Sequence, residues 1–258
     1  PVCDRPPVSK RKDVAPEALE QPHHVEMRVD IDVTDVWELF LDKDDLDGCD
    51  RVWPHVVFAL HTLTTLLHEE FGYNEMAVFY SGRRGAHIWV LDRRAVDQQD
   101  PHMHAQVREA VASALSYAAN KGRIDGSIAR IVKTQNLVGT VVEHFRKEAC
   151  ARFLDAPSDI REFVKRLGIR QLEGIEREMI QLQDPRAAYE HVEAAVHSRA
   201  TGANAWWADR LLDVILSYLF PRIDTNVSSQ INHLVKSPFS VHASTDRIGV
   251  FFGGFSDG

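Results

Sequence analysis

A run of strict alternation near the start of the chain constrains the fold more than any other feature. In VEMRVDIDVTDV, residues 25 to 36, Val25, Met27, Val29, Ile31 and Val33 alternate with Glu26, Arg28, Asp30, Asp32 and Thr34. A period of two belongs to a half-buried strand with one apolar and one polar face. Asp30 and Asp32 therefore point the same way, roughly 7 Å apart at about 3.3 Å per residue. Two neighbouring carboxylates on a rigid element repel each other, and a divalent cation removes that cost. Carboxylate oxygens suit Mg²⁺ or Mn²⁺. A bare Asp-x-Asp is more often a solvated strand face, so the rest of the chain must decide.

SGRRGAH, residues 81 to 87, joins two strand-like runs, MAVFY (76–80) and AHIWVLD (86–92), in a hairpin with a glycine-rich tip. Glycines on both sides of Arg83 and Arg84 let the backbone approach a bound group, and guanidinium forks suit phosphate oxygens. Ser81 and His87 offer further donors. The tip lacks the GK[ST] of a P-loop and the GxSxG of a hydrolase elbow. Asp224, in RIDTNV, is a carboxylate on an expected late strand. INHLVKSPFSVH then sets His233, Lys236 and His242 in an apolar context, with the lysine placed to meet a phosphate. Three carboxylates, two arginines, a lysine and histidines form the inventory of metal-assisted phosphoryl or nucleotidyl transfer.

Residues 1 to 24, rich in proline, read as an irregular approach to the first strand, and residues 41 to 51 as an acidic loop without EF-hand spacing. Pro54 is expected in the first turn of a helix with Val57, Leu60, Leu63, Leu67 and Phe71 buried and Gly72 as its stop. Helical periodicity fills 100–219. Val107, Val111, Ala114, Leu115 and Ala118 share a face before Gly122, and further helices are expected near 127–154, 158–167, 170–182, 185–198 and 204–219. Ser158 and Asp184 read as N-caps and Trp206-Trp207 as packing. Strand character returns at 222–227 and within 231–252. The plan is thus β-rich ends, 1–99 and 220–258, around a helical insert at 100–219. A net charge of −8 excludes a uniformly basic nucleic-acid binder, although Arg83-Arg84 and Arg93-Arg94 are local basic clusters. Cys3, Cys49 and Cys150 are scattered and odd in number, which fits a reducing compartment rather than a disulfide framework.

VDIDVTD, FYSGRRGAHIWVLD and PRIDTNVSSQINHLVKSPFSVH resemble, in order and wording, the three motif regions of the eukaryotic-type DNA primase small subunit, within the archaeo-eukaryotic primase superfamily. The likeness spans most of the chain, the helical middle matching in character only. It implies an α+β primase-polymerase (prim-pol) fold, a mixed α/β catalytic core with an inserted helical subdomain. It implies that Asp30, Asp32 and Asp224 bind two divalent ions, Mg²⁺ or Mn²⁺. It further implies that Ser81, Arg83, Arg84, His87, Lys236 and His242 hold an incoming NTP, with His233 near the sugar. The implied reaction is DNA-templated synthesis of short RNA primers. The implied partners are a large primase subunit, DNA polymerase alpha and single-stranded template DNA, with no membrane and in the nucleus.

Two departures from the family pattern shape these expectations. A four-cysteine zinc site usually lies between the first two motifs, and here only Cys49 is present, so no structural zinc is expected. The chain also starts close to the first motif and stops soon after the last, which reads as a fragment truncated at both ends. The rival readings are a metal-dependent nuclease or phosphodiesterase and a non-catalytic primase-like scaffold subunit. Arg83, Arg84 and Lys236 favour a triphosphate over a diester, and the intact aspartates favour a catalyst.

Overall fold

The computed structural model describes residues 26–32, 49–92, 105–116, 132–133, 137–230, 233 and 235–256. In chain order the first elements are β1 (Arg28–Asp32), α1 (Cys49–Phe71), β2 (Glu75–Tyr80), β3 (Gly85–Val90) and α2 (Ala105–Leu115). The helices α3 (Val138–His144), α4 (Cys150–Phe153), α5 (Pro157–Leu167), α6 (Ile175–Leu182), α7 (Pro185–Arg199) and α8 (Trp206–Leu219) follow. The short helix α9 (Thr225–Ser229) and β4 (Phe251–Ser256) close the described chain. This is a mixed α/β fold. It divides into two compact units, Pro1–Ser116 with Pro221–Gly258, and Tyr117–Phe220.

In the first unit the four strands form an antiparallel sheet in the order β1-β3-β2-β4. The register sorts side chains into two faces. Val29, Ile88 and Val78 make one row, and Ile31, Ala86 and Tyr80 the next, on the apolar face. α1 packs on β3 and sets Trp53 edge-on to Tyr80, with ring centroids 5.9 Å apart. Asp30, His87 and Phe79 form a row on the opposite face, beside Arg28, Trp89 and Ala77. That polar face is covered: α9 lies against β1, and Val235 packs on Ala77, Phe79 and Trp89. Glu26 and Arg28, polar by sequence, are consequently only 6% and 8% exposed.

Several expected elements move. α1 begins at Cys49 with Pro54 inside it, and its buried stripe is Val56, Ala59, Leu63, Leu66 and Leu67. Val57 is 52% exposed because packing on β3, not the position of the proline, sets the buried face. Gly72, at φ +70°, ends the helix with its N–H on the His68 carbonyl, 2.8 Å. α2 packs on α9 and so belongs with the sheet rather than with the helical block. RIDTNV is not a strand: the Asp224 carboxylate accepts the Asn226 N–H at 2.9 Å and starts α9 instead. Of the β-like runs in 231–252, the described residues keep only the Val241–Ile248 bridge and the start of β4.

In the helical unit Asp184 caps α7, accepting the Ala187 N–H at 2.9 Å. α5 is capped differently from expectation. Its N-cap is Ala156, whose N–H donates to Asp159 Oδ2 at 3.2 Å, and Ser158 falls inside the helix. The helix expected from 170 begins only at Ile175, after Gly174 at φ +90°. The stretch expected as one helix to 154 resolves into α3, a π-helical turn at Phe145–Ala149 and α4. Phe145, Phe163, Tyr189 and Trp207 are buried in this unit's core, whereas Trp206 is 47% exposed. The approach at 1–24, the acidic stretch 41–48, Arg93-Arg94 and Gly122 lie outside the described residues. Among the described residues no helix is long and apolar enough to cross a membrane.

Candidate active site

The β2–β3 tip is built by its own hydroxyls and glycines. Ser81 Oγ accepts the N–H of Gly85 (3.1 Å) and of Arg83 (3.4 Å), and the Tyr80 hydroxyl donates to the Arg83 carbonyl at 2.6 Å. Ser81 thus shapes the loop from inside. A Cβ on Gly85 would stand 2.3 Å from the Ile31 carbonyl oxygen, so only glycine lets β3 start against β1 opposite Asp32. That close approach delivers Arg84, whose Nε donates to Asp32 Oδ1 at 3.1 Å. One register step along, His87 Nε2 lies 3.4 Å from Asp30 Oδ1. On the other side of the tip Gly82, at φ +84°, leaves room for His242 and Arg247, each 3.0 Å from where its Cβ would be. Thr245 Oγ1 donates to the Gly82 carbonyl at 2.7 Å and fastens the two loops together.

The late segment joins the same face. The Asp224 N–H donates to the Asp30 carbonyl at 3.3 Å. Ser228 Oγ donates to the Arg28 carbonyl at 2.6 Å, and Arg28 Nη2 donates to the His233 carbonyl at 3.4 Å. His233 Nε2 stands 4.0 Å from Asp224 Oδ2. Asp30, Asp32, Ser81, Arg83, Arg84, His87, Asp224, His233, Lys236 and His242 therefore all fall within the sheet unit. The buried Nε of Arg83 and Nδ1 of His233 have no hydrogen-bond partner among the described residues.

Positive charge is crowded here. Burial, and then Arg83, push the Lys236 pKa down, while Asp30 and Asp32 pull it back up. His242, 8% exposed, is pushed down first by burial and then by Lys236, Arg83 and Arg84, against a backbone hydrogen bond that raises it. Its Nδ1 accepts the Ser244 N–H at 3.2 Å, so the neutral ring carries its proton on Nε2. Cations that depress one another's affinity for protons are stabilised by a shared anion.

Asp30, Asp32 and Asp224 supply only oxygen donors, the chemistry that hard divalent ions take. The side chains of Asp30 and Asp32 are 28% and 34% exposed, open to solvent-borne ions. Among the described residues no three His, Cys, Asp or Glu side chains are already gathered around one point in the manner of a closed metal site. Arg84 instead pairs with Asp32, and His87 Nε2 lies against Asp30. The donor set fits Mg²⁺ or Mn²⁺ in kind.

Arg108 is a component that sequence reasoning missed. It is 1% exposed, and its guanidinium donates to the carbonyls of Ser228 and Ser229 at the end of α9. A single arginine on an amphipathic helix reads as solvent-facing, so no local signal could have found it.

Comparison with known proteins agrees with the three motifs. The family model described as DNA primase small subunit matches residues 29–253. The DNA primase small subunit of Schizosaccharomyces pombe is 28% identical over 247 residues, covering 89% of this chain and 52% of the relative. The Drosophila melanogaster DNA primase small subunit is 27% identical over 285 residues, covering 97% of this chain and 63% of the relative. The Caenorhabditis elegans protein of the same name is 25% identical over 272 residues, covering 96% and 63%. The chain thus spans between about half and two thirds of the length of the curated relatives it matches.

Proposed function

The chain belongs to the DNA primase small subunit family, and on that premise we propose that its sheet unit is a prim-pol catalytic core that makes short RNA primers on a DNA template. The observation that carries this reading is the Asp224 N–H bonded to the Asp30 carbonyl, which brings the last motif onto the first. In this reading Asp30, Asp32 and Asp224 hold two Mg²⁺ or Mn²⁺ ions. When bound, such ions lower the pKa of the attacking 3′-hydroxyl and neutralise charge on the departing pyrophosphate.

The protein's own residues bind, orient and neutralise. Arg83, whose buried Nε has no partner among the described residues, Lys236 and the Nε2–H of His242 take triphosphate oxygens. Arg84 and His87 are shared between the β1 carboxylates and the nucleotide. Ser81 contributes by holding the tip in register, and His233 stands beside Asp224 on the side of the sugar. Catalysis is mostly positioning and charge stabilisation, with no covalent enzyme intermediate. The helical unit serves as the inserted subdomain. A large primase subunit, DNA polymerase alpha, single-stranded template and a nuclear setting belong to the same proposal.

Incubation of the full chain with single-stranded DNA, labelled NTPs and Mn²⁺ tests it. Template-dependent ribonucleotide products that need all these components are expected. Degradation of labelled oligonucleotide without NTPs would instead indicate a phosphodiesterase. NTP binding without any product would indicate a non-catalytic subunit.

A further inference from the structure

α9 is only five residues long, Thr225–Ser229, yet Asp224 is its N-cap. One helical turn fixes more backbone than its own bonds repay, so such a helix persists only where tertiary contacts hold it. Two of those contacts run to β1: the Asp224 N–H on the Asp30 carbonyl and Ser228 Oγ on the Arg28 carbonyl. A third comes from α2. Arg108 Nε donates to the Ser228 carbonyl and Nη2 to the Ser229 carbonyl, each at 3.2 Å. These carbonyls lie at the helix end, where intrahelical donors run out.

A guanidinium that is 1% exposed, with Arg28 near enough to repel it, is an expensive way to fill space. A methionine would fill the same volume without desolvating a charge, so packing does not account for the residue. What arginine adds is a rigid fork that holds two adjacent carbonyls at once. We propose that Arg108 is a positioning residue for the third carboxylate: by clamping the end of α9 it keeps Asp224, at the start, beside Asp30. This rests on the reading of Asp30, Asp32 and Asp224 as the metal carboxylates.

The test uses the full chain as parent, Arg108→Met and Asp224→Asn. It reads amide hydrogen exchange over 222–230 and over β2–β3, and Mn²⁺ affinity by calorimetry in the presence of NTP. In Arg108→Met, exchange should accelerate over 222–230 and stay at parent level over β2–β3. Mn²⁺ affinity should fall by about tenfold or more, the usual size of losing a group that orients a metal ligand. A folded Arg108→Met with parent exchange over 222–230, or with parent Mn²⁺ affinity, overturns the clamp. If that variant does not fold, Arg108→Gln, which keeps one planar donor, is read by the same two measurements against the same criterion. Asp224→Asn separates the two levels. Loss of Mn²⁺ there but not in the Arg108 variants sinks only the clamp, whereas parent affinity in Asp224→Asn sinks the metal reading beneath it.

Discussion

The helical and sheet units treat charge in opposite ways. In the helical unit, charges pair at the surface. Arg161 meets Glu176 at 3.1 Å, and Arg166 and Arg186 each meet a glutamate one turn away at 3.0 Å. Its interior is left to rings such as Phe145 against Tyr189, with centroids 5.0 Å apart. In the sheet unit, carboxylates, arginines and histidines share one half-buried face, and among the described residues the buried Arg83 Nε and His233 Nδ1 have no hydrogen-bond partner. The helical unit also has buried donors without a partner among the described residues, Arg146 Nε and Trp207 Nε1, but its charges meet charges of opposite sign. Paired charges serve stability, whereas a face that gathers Arg83, Arg84, Lys236 and His242 suits an anion.

The largest effect should come from cutting the ring cluster. Phe145→Ala is expected to cost about 3–5 kcal/mol of stability by leaving a cavity, measured by chemical denaturation. NTP affinity of the folded protein should not change, and a weakened affinity would blur the division between the units. The mirror experiment is Asp30→Ala or Asp32→Ala. Primer synthesis should fall by about 10²–10³-fold, as when an electrostatic catalytic group is removed, while each variant keeps a cooperative thermal transition. Wild-type synthesis by either variant would remove that aspartate from the site.

The sheet unit should also be the acid-sensitive one. His55, 2% exposed in α1, is pushed down from 6.5 to about 4 by burial. The folded state therefore binds fewer protons than the unfolded chain. Stability from this group is complete above about pH 6.5 and drains as pH falls toward about 4, by on the order of 3 kcal/mol. His55→Gln should flatten that slope in a series of denaturation curves at stepped pH, and an unchanged slope would place the acid sensitivity elsewhere. The smallest effect is expected at Arg161→Ala, an exposed pair worth under about 1 kcal/mol. A larger loss of Tm would show that helical surface charges do more than decorate the unit.

How far the sequence could be read depends on how local each determinant is. β1 follows from five alternating residues, and the hairpin from a tip whose glycines and serine act within a few positions. The Asp184 cap was readable for the same reason. RIDTNV looked like a strand because Ile223, Thr225 and Val227 alternate, yet the Asp224 side chain captured a backbone N–H and turned the chain into α9. The face of α1 escaped because β3 selects it. Arg108 escaped because burial of a polar side chain is decided by an element from the far end of the chain. The covered polar face of β1 has the same origin.

Iron-mediated backbone cleavage tests most directly whether the three carboxylates share one ion site. Fe²⁺ takes oxygen ligands in place of Mg²⁺ and reduces added hydrogen peroxide to hydroxyl radicals that cut the chain nearest to it, with ascorbate returning Fe³⁺ to Fe²⁺. With NTP present, cuts are expected around 30–32, 85–87 and 224, suppressed together by excess Mg²⁺. Cleavage that leaves the neighbourhood of 224 intact while cutting β1 would contradict the account.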